Sequence, residues 1–293
     1  CNPVDLRDTI QRIFAMDATL KSADIARLVA RLDTLPGQNK HYSELVSKIQ
    51  NPQASLAEIS GLISQDMAMT AKILKLVNSP FFGVSREITC AAEAVAFLGL
   101  EILKGVVLFA KVFDGIKVQD IEGFCIEKLW QHSLQTAVAA RTIALAEGCS
   151  GRLVEESFTA GLLHDLGKLV LAASCPAEYE NVMLQSQASG NSLIATEHKI
   201  IGANHAEIGG YLLNLWGLPA ILVEAVTHHH EPARGISNQF GPLLAVHVAN
   251  AICLEEAGNK DNVLDRPYLE QLGILSHLPA WREAVAAQAP ATP

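Results

Sequence analysis

Gly161-Leu-Leu-His164-Asp165-Leu-Gly167-Lys168 sets an imidazole and a carboxylate side by side within apolar, helix-forming sequence. Phe158-Thr-Ala precedes the stretch and Leu169-Val-Leu follows it. A neutral imidazole and an ionised carboxylate are both good ligands for divalent metals. Placing them together near the end of a buried helix is unfavourable unless something pairs with the carboxylate. Taken alone, the dipeptide has a plain alternative: His164 bonded to a backbone carbonyl, and Asp165 capping the turn that Gly167 ends.

The other histidines decide between the two. His132, His205, His229 and His230 punctuate successive apolar segments, with 32 residues from 132 to 164, 41 from 164 to 205 and 24 from 205 to 229. Each interval is long enough for a helix pair to return to the same place, and helix bundles build metal sites from inward ligands on facing helices. Nitrogen and carboxylate donors in such a set suit iron, manganese or zinc. A metal with positions open to water would lower the pKa of that water and polarise a phosphoryl oxygen. Lys168 is then placed to contact a phosphate; its alternative is an exposed lysine near a helix end, where the dipole favours positive charge.

Around this stretch the chain reads as all-α. Of its 293 residues 49% are hydrophobic and only 5% aromatic, and its abundant Ala and Leu favour helices over strands. The net charge of −9 gives no overall basic field for nucleic acid or an anionic membrane. No apolar run approaches the ~18 uninterrupted residues of a membrane span. Six scattered cysteines, with no CxxC among them, read as core residues of a reducing compartment, so a cytoplasmic location is expected. The first residue is Cys, which leads us to expect a longer parent chain.

In order, Leu6, Ile10, Ile13, Phe14, Ile25, Leu28, Val29 and Leu32 form an amphipathic helical stripe, broken near Ser22-Ala23-Asp24. It suits packing on the body of the protein, or a connecting or dimerising helix. Leu35-Pro36-Gly37 ends it. Helices are then expected over 41–49, from a capping box at Ser55-Leu-Ala-Glu58, over 68–77, near 89–98 and over 100–112, with a corner at Gly99 and a turn at 78–83. Next come a long helix over 122–147, one bearing His164-Asp165, and others near 177–188 and 192–200. Asn204 with Glu207 reads as the cap of a helix running to Trp216. Pro219 opens the following helix at its first position, which ends at His228-His229-His230-Glu231-Pro232. A helix over 243–256 follows, and the tail from 286 is expected to fray.

This set of residues resembles the HD superfamily of metal-dependent phosphohydrolases: His132, His164-Asp165-x-Gly167-Lys168, His205 and His229-His230-Glu231. Gln65-Asp66, Ala71-Lys72-x-Leu74-x-Leu76-Val77-Asn78-Ser79, Phe82-Gly83 and Trp216-Gly-Leu-Pro219 narrow the resemblance to the HDOD family, an HD-related output domain of bacterial signal transduction. It implies a multi-helix HD-like bundle with an N-terminal helical subdomain. The expected divisions are a linker or signalling helix over 1–34, an HDOD domain over 35–256 (35–115 and 116–256) and a C-terminal helical extension over 257–293. The stripe before the domain is similar to the helix that follows a receiver domain in some members.

Departures from the pattern shape the functional expectation. Catalytic relatives carry a last carboxylate in a Val-Ala-Asp context, and here Val248-Ala249-Asn250 stands there. Asparagine is a neutral, weaker ligand. The Gly-Tyr-Pro signature of cyclic di-GMP hydrolases is replaced by Pro232-Ala-Arg-Gly-Ile-Ser-Asn, and the position of an extra glutamate is Lys128. The resemblance therefore implies a signalling output module with a partly retained metal site formed by His132, His164, Asp165, His205, His229, His230 and Asn250. It would act through a signalling protein partner or receiver domain, with a phosphoester or nucleotide as ligand, and a homodimer would suit its N-terminal stripe. The alternative is a metal-dependent phosphohydrolase or phosphodiesterase.

Overall fold

The computed structural model describes residues 23–30, 48, 55–65, 67–84, 86–115, 118–149, 151–189, 192–236, 238–257 and 264–288. Every regular element among them is helical. In chain order these are α1 (Ala23–Ala30), α2 (Leu56–Ser64), α3 (Met67–Val77), α4 (Ala91–Gly115), α5 (Ile126–Ala146), α6 (Arg152–Leu163) and α7 (Leu166–Ser174). Then follow α8 (Pro176–Ser189), α9 (Leu193–Ile201), α10 (His205–Leu215), α11 (Ala220–His228), α12 (Pro242–Glu256), α13 (Arg266–Gln271) and α14 (Leu278–Gln288). The expected positions Leu6, Ile10, Ile13, Phe14, Leu32 and Leu35-Pro36-Gly37, and the helix over 41–49 apart from Lys48, lie outside the described residues.

The chain divides into two compact units, one built mainly from residues 34–116 and the other from residues 1–33 and 117–286. In the smaller unit α2, α3 and α4 pack on one another through Ile59, Ile63, Ile73, Val77, Val95 and Leu103. The Ser55–Glu58 capping box opens α2: Glu58 N–H donates to Ser55 Oγ at 3.2 Å, and Ser55 N–H donates to Glu58 Oε2 at 3.0 Å. After α3 a 3-10 turn over Pro80–Phe82 ends at Gly83 in the left-handed region. Asn78 ties this turn to the segment beyond it, giving one hydrogen bond to Ile88 O at 2.7 Å and taking one from Ile88 N–H at 2.8 Å. Gly99, at φ 73°, breaks α4 in two, at the corner the sequence led us to expect.

In the larger unit α5, α6 and α12 form one packed layer, and α7, α10 and α11 another that shares α6 and α12 as neighbours. Small residues make the close approaches. A Cβ on Gly161 would lie 2.8 Å from Ala137 Cα, so α5 and α6 meet backbone to backbone. A Cβ on Gly210 would fall on the Thr227 hydroxyl at 1.9 Å, which fixes α10 against α11. The Ala-rich run of α5 joins Ile143, Leu244, Val248, Ile252 and Trp281 in the core, so α14 is part of this unit. Helix α14 runs to Gln288, past the point where fraying was expected. Ile25, Leu28 and Val29 of α1 are buried, and α1 packs on α7 and α10. The described part of the N-terminal stripe thus serves packing within the chain.

Two local expectations are corrected. The helix expected to carry His164-Asp165 is two helices: α6 ends at Leu163, His164 is its C-cap, and α7 begins at Leu166. The His164 ring takes the Gly161 carbonyl, one of those left free by the last turn of α6. Asp165 stands at the N-cap position of α7 but makes no side-chain cap bond, so its carboxylate is free for other work. Pro219 is the N-cap of α11 with ψ 138°, one position earlier than expected.

Candidate metal centre

Every site residue expected from the sequence meets at one place in the larger unit. His164 and Asp165 arrive on the α6–α7 break, His205 on the first turn of α10, and His229-His230 at the end of α11. His132 comes from α5 and Asn250 from α12. The ligand-type atoms form two groups that share Asp165: Asp165 with His205, His229 and His230, and Asp165 with His132 and His164. Within each group these atoms all lie within 4.8 Å of one another.

Asp165 divides its oxygens between the groups. Oδ1 lies 3.3 Å from His205 Nε2 and 3.8 Å from His229 Nε2. Oδ2 lies 3.4 Å from His164 Nε2, 3.7 Å from His132 Nε2 and 2.6 Å from Lys168 Nζ. His205 Nε2 and His230 Nε2 are 3.0 Å apart, as are His132 Nε2 and Asn250 Oδ1. Lys168 sits in the first turn of α7 with its side chain 18% exposed, so it is at the N-terminal end of its helix, where the dipole does not favour a cation, and it is not free in solvent. Lys128 is exposed.

Backbone carbonyls select the tautomers. His164 Nδ1–H donates to Gly161 O at 2.7 Å and His229 Nδ1–H to Val226 O at 2.8 Å, in each case a carbonyl three residues back at a helix end. His205 Nδ1–H donates to Glu197 Oε2 at 2.7 Å. When neutral, each of these rings presents its Nε2 lone pair to Asp165. His164 Nε2, His229 Nε2 and Asp165 Oδ1 are buried and have no hydrogen-bond partner. Buried polar atoms without partners are unfavourable by ~1–3 kcal/mol each. Ligand-type atoms gathered in two groups around one carboxylate fit divalent cation binding, and the nitrogen and oxygen donor set suits iron, manganese or zinc.

Two supporting residues were not singled out from the sequence. Glu197 is fully buried, and its Oε2 accepts both the ring N–H and the backbone N–H of His205, the latter at 2.9 Å. It orients the ring and places negative charge at the N-terminus of α10. The available signal was an acid on the apolar stripe of α9, in line with Leu193, Ile200 and Ile201. His247 donates its Nδ1–H to His229 O at 2.8 Å and accepts Asp265 N–H at Nε2 at 2.9 Å. It fixes the end of α11, and its signal was a lone histidine within the apolar run from Leu243 to Ala249.

Burial dominates the titration of His132, His229 and His230. It presses His132 down to about 4 against the raising influence of Asp165, and holds His229 and His230 well below the usual imidazole value. Burial alone would raise the Asp165 carboxyl, but the His164 ring and Lys168 ammonium hold it well below the usual range. At His205 burial is outweighed by Glu197, and the pKa is raised. Burial also lowers the adjacent His228 to about 4.

These shifts set an acid limit for the metal-free protein. An imidazole whose pKa is lowered by folding binds more protons when unfolded. Its stabilisation is complete above the ordinary value of 6.5 and is lost as pH falls from there towards about 4. His132 and His228 should each withdraw about 1–2 kcal/mol between pH 7 and pH 5. His205 runs the other way: its contribution is complete below 6.5 and fades as pH rises through its raised pKa. Urea unfolding in chelator at pH 7 and pH 5 checks the sum; equal stability at the two would contradict it.

Comparison with known proteins follows the same lines. The chain matches the HDOD domain family over residues 35–232. An uncharacterized protein of Treponema pallidum (strain Nichols) is 32% identical over 208 residues, which cover 70% of this chain and 39% of that protein. The chain thus spans well under half the length of that relative. A phosphohydrolase-like protein of Shewanella amazonensis SB2B has a solved structure that superposes with a TM-score of 0.70 at 25% identity, covering 92% of this chain and 96% of that one. An HDOD domain protein of Geobacter sulfurreducens superposes with a TM-score of 0.71 at 23% identity, covering 92% and 93%.

Proposed function

The chain belongs to the HDOD domain family, and from that premise we propose that it is a signalling output module whose histidine and aspartate cluster holds a divalent metal and, beside it, an anionic phosphoester or nucleotide ligand. The observation that carries this reading is the gathering of buried, unpartnered atoms of His164, His229 and Asp165 around the shared Asp165 carboxylate. His132, His205, His230 and Asn250 complete the donor set. A bound iron, manganese or zinc ion would supply a Lewis acid for a phosphoryl oxygen. Lys168, held at the cluster by Asp165, adds positive charge for an anionic ligand. Asn250 contributes no charge where a catalytic relative has an acid, which favours holding a ligand over turning it over.

The signal passes to a protein partner, in cis from a receiver domain or in trans. A cytoplasmic setting agrees with the five described cysteines, none of which forms a disulfide, and among the described residues no helix is long and apolar enough to cross a membrane. Hydrolysis of a phosphoester is the second reading. It is favoured by the likeness to the Shewanella amazonensis protein over 92% of the chain.

Metal content of the purified chain, measured beside a His164→Ala/Asp165→Ala variant, tests the proposal. Near-stoichiometric iron, manganese or zinc, lost in a variant that keeps its helical circular dichroism, is the expected result. No bound metal, together with no rise in Tm when metals are added, would refute the centre. Turnover of phosphoesters or cyclic dinucleotides that disappears in the variant would move the assignment to the enzyme.

A further inference from the structure

We infer that Tyr179 is a positioning residue of the metal centre, its phenol joined to Glu197 Oε1 through one internal water, so that a chain of hydrogen bonds runs from α8 through Glu197 to His205. The effect on metal binding rests on the metal-centre reading above; the chain of bonds itself does not.

Glu197 spends only one of its two oxygens on the cluster. Oε2 accepts the ring N–H of His205 at 2.7 Å and its backbone N–H at 2.9 Å. Oε1 is buried and has no hydrogen-bond partner among the described residues. A carboxylate held by one oxygen alone is free to turn about its own axis, and such a turn carries Oε2 away from the His205 ring. A donor on Oε1 prevents it. That donor has to come from the interior, because Glu197 is 0% exposed.

Tyr179 is placed to supply it. The residue lies in the first turn of α8, with its N–H donating to Cys175 O at 2.9 Å. Helix α8 packs on α9, which carries Glu197, and on α7, which follows Asp165. The Tyr179 side chain is fully buried, and Phe124 meets its ring edge-on with 5.7 Å between centroids, so the phenol does not reach solvent. Its hydroxyl, like Glu197 Oε1, is buried and without a partner. Burial first, then the carboxylates of Glu197 and Asp165, hold the phenol pKa well above its usual value. The group is therefore a neutral donor, and Glu197 is the acid it senses most.

A buried donor and a buried acceptor on adjacent helices, not bonded to each other, are each unfavourable. One water that takes the phenol O–H and gives a hydrogen of its own to Oε1 satisfies both, which is how internal waters serve polar groups that do not meet directly. Both carboxylate oxygens of Glu197 are then fixed, and with them the direction in which the His205 ring points.

Tyr179→Phe tests this, since it keeps the ring and its contact with Phe124 and removes only the O–H. Mn2+ affinity is measured by competition against a calibrated chelator in wild type, Tyr179→Phe, Glu197→Ala and the double variant. Tyr179→Phe is expected to lower affinity about 3–10-fold, less than the ~10–100-fold of a residue that touches the ligand itself. In the Glu197→Ala background it should change nothing further. A phenol with a purely structural role would lower Tm in both backgrounds and leave affinity alone. Unchanged affinity in Tyr179→Phe, or an equal loss in the Glu197→Ala background, would overturn the inference and leave the metal centre standing. Should Glu197→Ala not fold, a high-resolution crystal structure of wild type decides: a water within hydrogen-bond distance of both Tyr179 Oη and Glu197 Oε1 supports the inference, and no such water overturns it. Should wild type bind no Mn2+, the metal centre falls, and urea unfolding of the four proteins in chelator decides the chain of bonds alone. A smaller loss from Tyr179→Phe in the Glu197→Ala background supports it, and an equal loss overturns it.

Discussion

A single methyl group at position 167 is expected to abolish both the fold of the larger unit and its metal binding. A Cβ on Gly167 would stand 1.8 Å from His205 O, 2.7 Å from His205 C and 2.9 Å from Gly209 N. All three are backbone atoms, so no rotamer change relieves the clash, and α7 would have to move off α10. Overpacking a core with side-chain neighbours is unfavourable by ~1–3 kcal/mol; displacement of two helix backbones should exceed that range. The same movement parts His164-Asp165 from His205. Gly167→Ala is therefore expected to lower Tm by more than about 10 °C or to leave the protein insoluble, since ~1 kcal/mol shifts Tm by about 2–4 °C in a chain of this size. Gly61→Ala is the control. That glycine lies inside α2 with nothing within 4 Å of a new Cβ, and alanine is better in a helix by up to ~1 kcal/mol. A Gly167→Ala protein that melts with wild type would show that α7 and α10 do not approach in this way.

The contrast between those glycines marks what a sequence discloses. Nothing in the glycines themselves separates them, and only the partner backbone tells them apart. Features whose partners lie within one helical turn were legible. The Ser55–Glu58 and Asn204–Glu207 capping boxes are both present, because each side chain meets the backbone three residues away. The Gly99 corner is local too. The cluster was legible for another reason: histidines at helix-pair intervals have few apolar explanations, and the family pattern fixed which ones to take together.

Features set by distant partners were not legible. Periodicity cannot tell that a helix stops at His164-Asp165, since the residues on both sides are equally helix-forming. The stop comes from a histidine ring taking the Gly161 carbonyl in a crowded site. His247 finds its carbonyl 18 residues back and Glu197 its histidine eight residues on, each across a turn whose path the sequence does not encode locally.

Glu197 yields the second large effect, a metal affinity reduced 10–100-fold without loss of any ligand. Its Oε2 accepts two N–H bonds from His205 in a fully buried position. Two contributions can be separated. Glu197→Gln keeps an oxygen able to accept both bonds but removes the charge, so the ring stays oriented while the negative field at the ion weakens. Glu197→Ala removes both, leaving a buried ring N–H and a helix N-terminal N–H unsatisfied at ~1–3 kcal/mol. Outer-sphere partners of ligating histidines typically contribute 10–100-fold in affinity. Glu197→Gln should fall near the lower end with Tm almost unchanged, and Glu197→Ala near the upper end with a lowered Tm. Competition of Mn2+ against a calibrated chelator at pH 7.5 measures the first quantity and thermal melts the second. Wild-type affinity in Glu197→Gln would mean that Glu197 acts by hydrogen bonding alone and that its charge does not influence the metal. A loss in Glu197→Gln as deep as in Glu197→Ala would mean that charge decides. Asn250, which leaves Asp165 as the one acid in the cluster, would then account for the need for a second carboxylate behind His205.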